Sequence, residues 1–295
     1  MRILALLLLA ALFVLQLING VQGWGKEGHY ATCKIAEAYL TENSMAAVKK
    51  FLPESASGDL ANVCSWADEI RFHYRWSSAL HYIDTPDFKC SYDYCRDCHD
   101  EADHVDMCVA GAIYNYTSQL ESFNASGRVE NYNLTEAIMF LSHFMGDIHQ
   151  PLHVGFTGDL GGNSIIVHWY RRKTNLHHVW DNLVTENALK NFYSSDIGAM
   201  INSIQDKIMG NWSSELPIWK QCQQNLTVCP NTYASESVKL ACSYAYKNAT
   251  PGSVLEDGYF LSRLPIVERR LAQGGVRLAS TLNRLFSSRT QTAQL

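Results

Sequence analysis

The chain has 295 residues, 47 % hydrophobic and 18 % charged, with a net charge of −5. That composition excludes intrinsic disorder, and the length allows a large core that does not depend on disulfides. No Lys/Arg-rich block occurs, which excludes a conventional basic-patch nucleic-acid binder; any phosphate must be drawn by something other than lysine and arginine.

Arg2 precedes a run, residues 3–18, that is apolar except for Gln16. Val21-Gln22-Gly23 then offers small residues where a signal peptidase reads them, so residues 1–23 are expected to be a secretory signal cleaved before Trp24. The run is short for a membrane span, which needs about 20 residues, and no later stretch is long and apolar enough. Loss of Arg2 leaves 23 basic against 29 acidic residues, a net −6.

Helical periodicity dominates the remainder of the chain. Residues 28–40, 45–52, 61–72, 104–123 and 134–148 read as helices, the last with a capping arrangement at Asn133 and an end marked by Pro151. Residues 163–170 are β-branched and aromatic and come after the turn Gly158-Asp-Leu-Gly-Gly162, which reads as a strand or hairpin arm. Helices are expected again over 179–190, 197–209, 232–247 and 259–286. The expected architecture is one mainly α domain over 24–286 with a short β-hairpin, and residues 287–295 form a polar tail open to trimming.

Secretion has two further signs. Sequons stand at Asn115, Asn124, Asn133, Asn211, Asn225 and Asn248. Nine cysteines suit an oxidising compartment, and their odd number leaves at least one unpaired or bridging chains. Cys95-x-x-Cys98 has zinc-ligand spacing but no second such pair, so disulfides are the better reading. The signal leads to the extracellular space, the apoplast or the vacuole; the C-terminal Ala-Gln-Leu is no retention signal.

The chemistry lies in histidine and aspartate spacing. His143 and Asp147 sit four apart, on one face of a helix and one turn from each other. His177 and Asp181 repeat that spacing; His153 follows Pro151; Asp68 stands near the end of a predicted helix; His81 precedes Tyr82-Ile83-Asp84. Imidazole nitrogen and carboxylate oxygen are zinc ligands, and two such pairs with isolated partners exceed what one mononuclear site needs. His73, His99, His104, His149, His168 and His178 read as structural or as supports behind the ligands.

Taken together, Trp24-Gly-x-x-Gly-His29, Ser65-Trp-Ala-Asp68, His81-Tyr-Ile-Asp84, His143-x-x-x-Asp147-x-x-Gln-Pro-Leu-His153 and His177-x-x-x-Asp181 resemble the signature set of the S1/P1 nuclease family, in the family's order. The plant bifunctional nucleases are the most similar in character. The resemblance runs from Trp24 to about Phe286 and includes Gly274-Gly-Val-Arg-Leu-Ala. It implies a helical bundle of the P1 nuclease and zinc phospholipase C type around three zinc ions. Asp68, His81, His143 and Asp147 would hold one ion; Trp24, His29 and the shared Asp147 a second; His153, His177 and Asp181 a third. Trp24 would ligate through its own α-amino nitrogen and carbonyl, which exist in that form only after cleavage behind Gly23.

The implied activity is hydrolysis of single-stranded DNA and RNA to 5′-phosphate products, with action on 3′-nucleotides; a monomer is the default expectation, and signal cleavage would leave it free of the membrane. Three divalent ions outweigh three aspartates, so the site itself would attract phosphate. Arg71 is the candidate to neutralise transition-state charge, Asp84 to contact a base edge or orient water, and Tyr82 to stack on an unpaired base. The rival readings are a phospholipase C-like phosphodiesterase, separated by a phosphatidylcholine assay, and a non-catalytic zinc-binding glycoprotein, which would show no turnover at full zinc loading.

Overall fold

The computed structural model describes residues 24–126, 132–222 and 226–287. The expected signal sequence, Asn225 and the expected polar tail beyond Ser287 lie outside them, as does the side chain of Asn124.

Two long helices and a buried one organise the molecule. α1 (Lys26–Tyr39) lies along the chain's last helix and carries His29. α2 (Glu42–Phe51) comes next, with the Thr41 side chain accepting a hydrogen bond from the Ser44 amide at its start. A 3-10 turn (Leu60–Val63) and the short α3 (Trp66–Ile70) take the place of the single helix expected over 61–72. Two ties explain the break. Cys64 is bonded to Cys33 of α1, and its carbonyl accepts from the ring of His143 instead of from a helical N–H. Asp68 is the middle residue of the five-residue α3, in its first turn.

A 3-10 helix (Arg75–His81) leads into β1 (Ile83–Thr85), and then the four-residue α4 (Tyr94–Asp97). α5 (Val109–Ser126) begins later than the expected residue 104. The reason is the Cys98–Cys108 disulfide, whose loop holds Asp103 and Asp106 at positive φ, outside helical geometry. α6 (Leu134–Asp147) starts at Asn133, whose side chain accepts from the Glu136 amide at 3.2 Å, as the capping pattern predicts. Every residue from Ala137 to Asp147 is buried, the polar His143 and Asp147 together with the apolar Phe140 and Phe144. A helix enclosed on nearly every side must lie inside the bundle.

After a 3-10 turn (Pro151–His153) comes β2 (Val154–Phe156), paired parallel with β1 so that Ile83 faces Val154 and Asp84 faces Gly155. This pairing sets His81 and His153, just ahead of each strand, side by side. The expected strand is β3 (Ile166–Trp169), one arm of an antiparallel hairpin with β4 (Arg172–Asn175). Asn175 then caps the next turn, α7 (Leu176–His178), accepting from the His178 amide at 2.7 Å, and so delivers His177.

The helix expected over 179–190 is a π-helical turn (Val179–Leu183) that runs into α8 (Val184–Phe192). The π turn carries Asp181; such turns often mark functional positions. α9 (Ile197–Met209) has the expected bounds, and the short α10 (Leu216–Lys220) has no counterpart among the expected elements. α11 (Pro230–Leu240) passes into a second π turn (Ala241–Ala245), in place of one helix over 232–247. β5 (Val254–Leu255) adds a parallel third strand to the hairpin before the closing helix, α12 (Asp257–Phe286).

α12 can lie close against α1 because of Gly274 and Gly275. A Cβ on Gly275 would come within 2.6 Å of the Ile35 side chain and 2.8 Å of the Thr32 carbonyl. Two apolar cores result, one around α5 and α6, the other around Trp24, Trp180 and α12. Each fully buried large side chain contributes roughly 1.5–3 kcal/mol. Disulfides join Cys33–Cys64, Cys90–Cys242, Cys98–Cys108 and Cys222–Cys229, and Cys95 is a free, exposed thiol, in accord with the odd count. Asn115, Asn133, Asn211 and Asn248 are exposed. No helix among the described residues is long and apolar enough to cross a membrane.

Candidate metal centre

The metal-binding candidates Trp24, His29, Asp68, His81, His143, Asp147, His153, His177 and Asp181 are all buried, and the folded chain brings the histidines and aspartates among them together from separate elements. Three groups have ligand atoms within 4.8 Å of one another: His29, Asp68 and His143; His81, His143 and Asp147; His153, His177 and Asp181. Asp147 stands at the middle. Its Oδ2 is 3.0 Å from His81 Nδ1 and 3.2 Å from His143 Nε2; its Oδ1 is 3.3 Å from His29 Nε2 and 3.8 Å from His153 Nδ1.

The rings are aimed by their far sides. Nδ1 of His143 donates to the Cys64 carbonyl at 2.8 Å, Nδ1 of His153 to the His81 carbonyl at 2.6 Å, and Nδ1 of His177 to the Gly161 carbonyl at 2.6 Å. In the neutral ring the proton is held on Nδ1 by that carbonyl and each Nε2 presents a lone pair inward, which is how metal-binding histidines are oriented. The Nε2 atoms of His153 and His177 lie 3.2 Å apart, and His143 Nε2 is 3.1 Å from His81 Nδ1. At His153 and His177, whose Nδ1 atoms are engaged by carbonyls, the two Nε2 lone pairs point at one another and do not attract. Asp68 Oδ1, Asp147 Oδ1 and both ring nitrogens of His29 are buried without a hydrogen-bond partner. Orphaned groups of this kind cost about 1–3 kcal/mol each. The donor set, imidazole with carboxylate, fits zinc or a similar borderline cation, and a cation is what would satisfy it.

Close approach of the rings needs small neighbours. A Cβ on Gly146, between His143 and Asp147 on α6, would meet His29 Nδ1 at 2.8 Å. That space lets the His29 ring stack on His143 at 3.8 Å and 15°. Two stacked imidazoles do not share positive charge. Burial and the charge of His143 push His29 down to about 4, whereas for His143 burial is overcome by Asp147 and Asp68, which lift it to about 9. Asp147 is held well below the carboxylate range: burial works against this, and the His143 and His153 charges prevail. Burial drives Asp181 the other way, well above that range.

Trp24 is wholly enclosed in the second core, and the Gly25 amide donates to the Asp181 carbonyl at 2.8 Å. The segment after the expected cleavage point is thereby fastened to the third group. Arg71 is buried and not a surface helix residue; its Nη1 is 4.0 Å from Asp68 Oδ1, and its charge opposes the rise of the Asp181 pKa. Tyr82 and Asp84 are half-buried, one just ahead of β1 and the other within it. Burial, Asp84 and the Glu101 and Asp100 charges push Tyr82 up to about 12; burial and Glu101 raise Asp84 to about 6.

His149, which fills no ligand position of the family pattern, is held away from the three groups by its own partners. Nδ1 donates to the Met145 carbonyl at 2.7 Å and Nε2 accepts from Arg277 at 2.9 Å. Burial, with Arg270 and Arg277 nearby, holds its pKa well below the ordinary value. Sequence reasoning passes over Gln150, although it stands inside the Asp147-to-His153 string. Its amide donates to Asp181 Oδ1 at 2.6 Å while its carbonyl accepts from the Leu152 amide at 2.6 Å. Asp181 is left with Oδ2 facing His177 Nε2 at 3.3 Å. Gln150→Leu is therefore expected to weaken metal retention at the His153–His177–Asp181 group by about 10- to 100-fold, the usual effect of losing a ligand's supporting hydrogen bond. Competition against a chelator of known affinity would show it; unchanged retention would contradict the role.

Against this geometry, comparison with known proteins is direct. Residues 24–287 match the S1/P1 Nuclease family. The chain is 64 % identical over 285 residues to Endonuclease 4 of Arabidopsis thaliana, covering 96 % of this chain and 95 % of that one. It is 30 % identical over 279 residues to Nuclease P1 of Penicillium citrinum, covering 90 % and 98 %, and 31 % identical over 281 residues to Nuclease S1 of Aspergillus oryzae, covering 90 % and 92 %. The family match spans every buried histidine and aspartate of the three groups, and the chain belongs to the S1/P1 nuclease family, as a hydrolase of nucleic acids.

Proposed function

We propose that this nuclease is a zinc-dependent endonuclease of the secretory pathway. It cuts single-stranded DNA and RNA to 5′-phosphate products and also acts on 3′-nucleotides. The observation that carries the reading is the convergence of three His/Asp groups whose imidazoles are anchored from behind and face one another.

Asp68, His81, His143 and Asp147 would hold one zinc, Trp24 and His29 with Asp147 a second, and His153, His177 and Asp181 a third. Zinc bound there supplies Lewis acidity toward a phosphodiester and a lowered pKa for water. The chain's own residues do the rest. Arg71 stands beside Asp68, where its buried guanidinium offers fixed positive charge to phosphate oxygens. Asp84, raised to about 6, accepts from a base edge when ionised and donates to one when protonated. Tyr82 stays a neutral phenol at working pH and offers a ring face to an unpaired base. The α-amino group of Trp24 becomes a ligand once residues 1–23 are removed, so secretion and metal completion are one event.

The test uses secreted protein with its N-terminus sequenced, its zinc measured per chain, and single-stranded DNA cleavage followed before and after chelation. A Trp24 terminus, about three zincs and chelation-sensitive cleavage are expected. Phosphatidylcholine hydrolysis in place of DNA cleavage would transfer the site to the phospholipase reading. Full zinc with no turnover would leave a storage protein.

A further inference from the structure

Between α3 and His81 the chain reads Arg71-Phe-His-Tyr-Arg-Trp76, alternating positive and aromatic side chains in a protein of net charge −5. Arg71 turns inward to Asp68, but Arg75 and Trp76 are exposed, the indole to 53 %. Trp76 is not loose. Its ring stacks on Tyr74 at 5.7 Å and 22° and lies 5.9 Å from Phe140, one turn before His143 on α6. The Tyr74 hydroxyl is itself fixed, donating to Glu136 at 3.2 Å. A large ring held still with one face in water has little entropy left to lose when a ligand covers it.

Trp76 also forms a wall of a cavity of about 500 Å³, lined as well by Leu80, Tyr94, Met107, Tyr114 and Asn115. The volume lies within the range for small-ligand pockets. Four of its walls are aromatic, Trp76, Tyr94, Tyr114 and Tyr116, and Asp106, Asn115 and Ser118 supply polar groups. Asp106 already accepts from the Tyr94 hydroxyl at 2.6 Å. From Trp76 to His81 the 3-10 helix advances about 2 Å per residue, roughly 10 Å in all. A strand rising about 3.4 Å per nucleotide covers that distance in a few nucleotides.

We propose that Arg75, Trp76 and this cavity form a distal nucleotide subsite: Trp76 stacks on a base of the single strand a few nucleotides from the bond being cut, and Arg75 meets the adjoining phosphate. The proposal rests on the single-strand reading above and adds to it a second hold on the substrate, away from the metal groups. A rigid ring stacks on any base, so this subsite favours unpaired strand without selecting sequence.

The zinc-loaded, secreted enzyme tests it with Trp76→Ala, Trp76→Phe and Arg75→Ala, on a single strand of about 20 nucleotides and on a dinucleotide. Trp76→Ala is expected to raise KM for the long strand about tenfold, the effect of losing one base–ring stack, with kcat and dinucleotide hydrolysis unchanged. Trp76→Phe should recover most of the loss. Arg75→Ala should lower the slope of log affinity against log salt by about 1 for the long strand. Equal effects on both substrates, or none on either, would overturn the proposal. Asn115 is a sequon, so Asn115→Gln is assayed alongside. If Trp76→Ala lowers the melting temperature only in the chain glycosylated at Asn115, the cavity seats that glycan and the proposal fails. A wild type that cuts the dinucleotide but not the long strand would instead overturn the single-strand reading, and the subsite with it.

Discussion

Asp147→Asn is expected to lower nuclease turnover by about 10³-fold while leaving the fold intact. Both oxygens of Asp147 face imidazoles: Oδ2 lies 3.0 Å and 3.2 Å from His81 and His143, and Oδ1 3.3 Å from His29. An amide has nearly the same shape but carries no charge, and its NH2 end faces ring nitrogens as a donor, where a metal ligand is required. The first two zinc sites proposed above share this residue, so one substitution acts on both. Metal catalysis of phosphoryl chemistry is worth several kcal/mol of transition-state stabilisation, which at about 1.36 kcal/mol per tenfold gives about 10³. Turnover and metal content should fall together, with circular dichroism unchanged. A variant that keeps its full metal content and cuts within about tenfold of wild type would show that Asp147 is not the shared ligand.

Arg270→Ala should destabilise the protein by about 3–5 kcal/mol, for a reason remote from catalysis. Arg270 is buried in α12 and holds the carbonyls of His149 and Tyr233, the Ser237 hydroxyl, the Gln273 amide oxygen and Glu236. Burial lowers its pKa to about 10, Glu236 opposing, so it remains charged at neutral pH. Truncation leaves a void and unpaired acceptors behind the segment that links Asp147 to His153. At about 2–4 °C per kcal/mol for a domain of this size, the melting temperature should drop by about 6–20 °C. A shift under about 2 °C, less than about 1 kcal/mol by the same conversion, would mean the cluster is solvated or replaceable.

The same cluster dictates a response to acid. Glu236 is held at about 2: burial alone would raise its pKa, but the Arg277 hydrogen bonds and the Arg270 charge outweigh it. A carboxylate depressed in the folded state stabilises fully above its ordinary value of 4.5 and loses that contribution as pH falls toward about 2. Melting temperature measured from about pH 6 to about pH 2 for wild type and Glu236→Gln should therefore converge in acid. Curves that stay parallel would contradict the assignment.

Legibility from the sequence differs by level. The i,i+4 pairs His143–Asp147 and His177–Asp181 are readable because a helix, once formed, fixes which residues share a face. α9 and α6 keep their expected bounds to within a residue because their apolar pattern agrees with their burial. The helix expected over 61–72 fails because Cys64 gives its carbonyl to His143, a partner 79 residues away. The π turns at Val179 and Ala241 escape for a similar reason, since periodicity cannot distinguish one extra residue in a turn. The roles of Gln150, Arg270 and Arg277 are invisible in the sequence because a glutamine or arginine carries no sign of whom it will meet.

The sequence by itself determined the helical class and the disulfide chemistry with a thiol left over, because residue type and local periodicity govern both; the set of histidines and aspartates of the candidate centre came from the resemblance of the whole motif series to the S1/P1 nuclease family. Only the tertiary structure decided that Arg71 is buried, that β1 and β2 set His81 beside His153, and that backbone carbonyls at Cys64, His81 and Gly161 aim the rings. Those are contacts between segments far apart in the chain, fixed by how the two cores pack around them, and no local pattern encodes such a pairing.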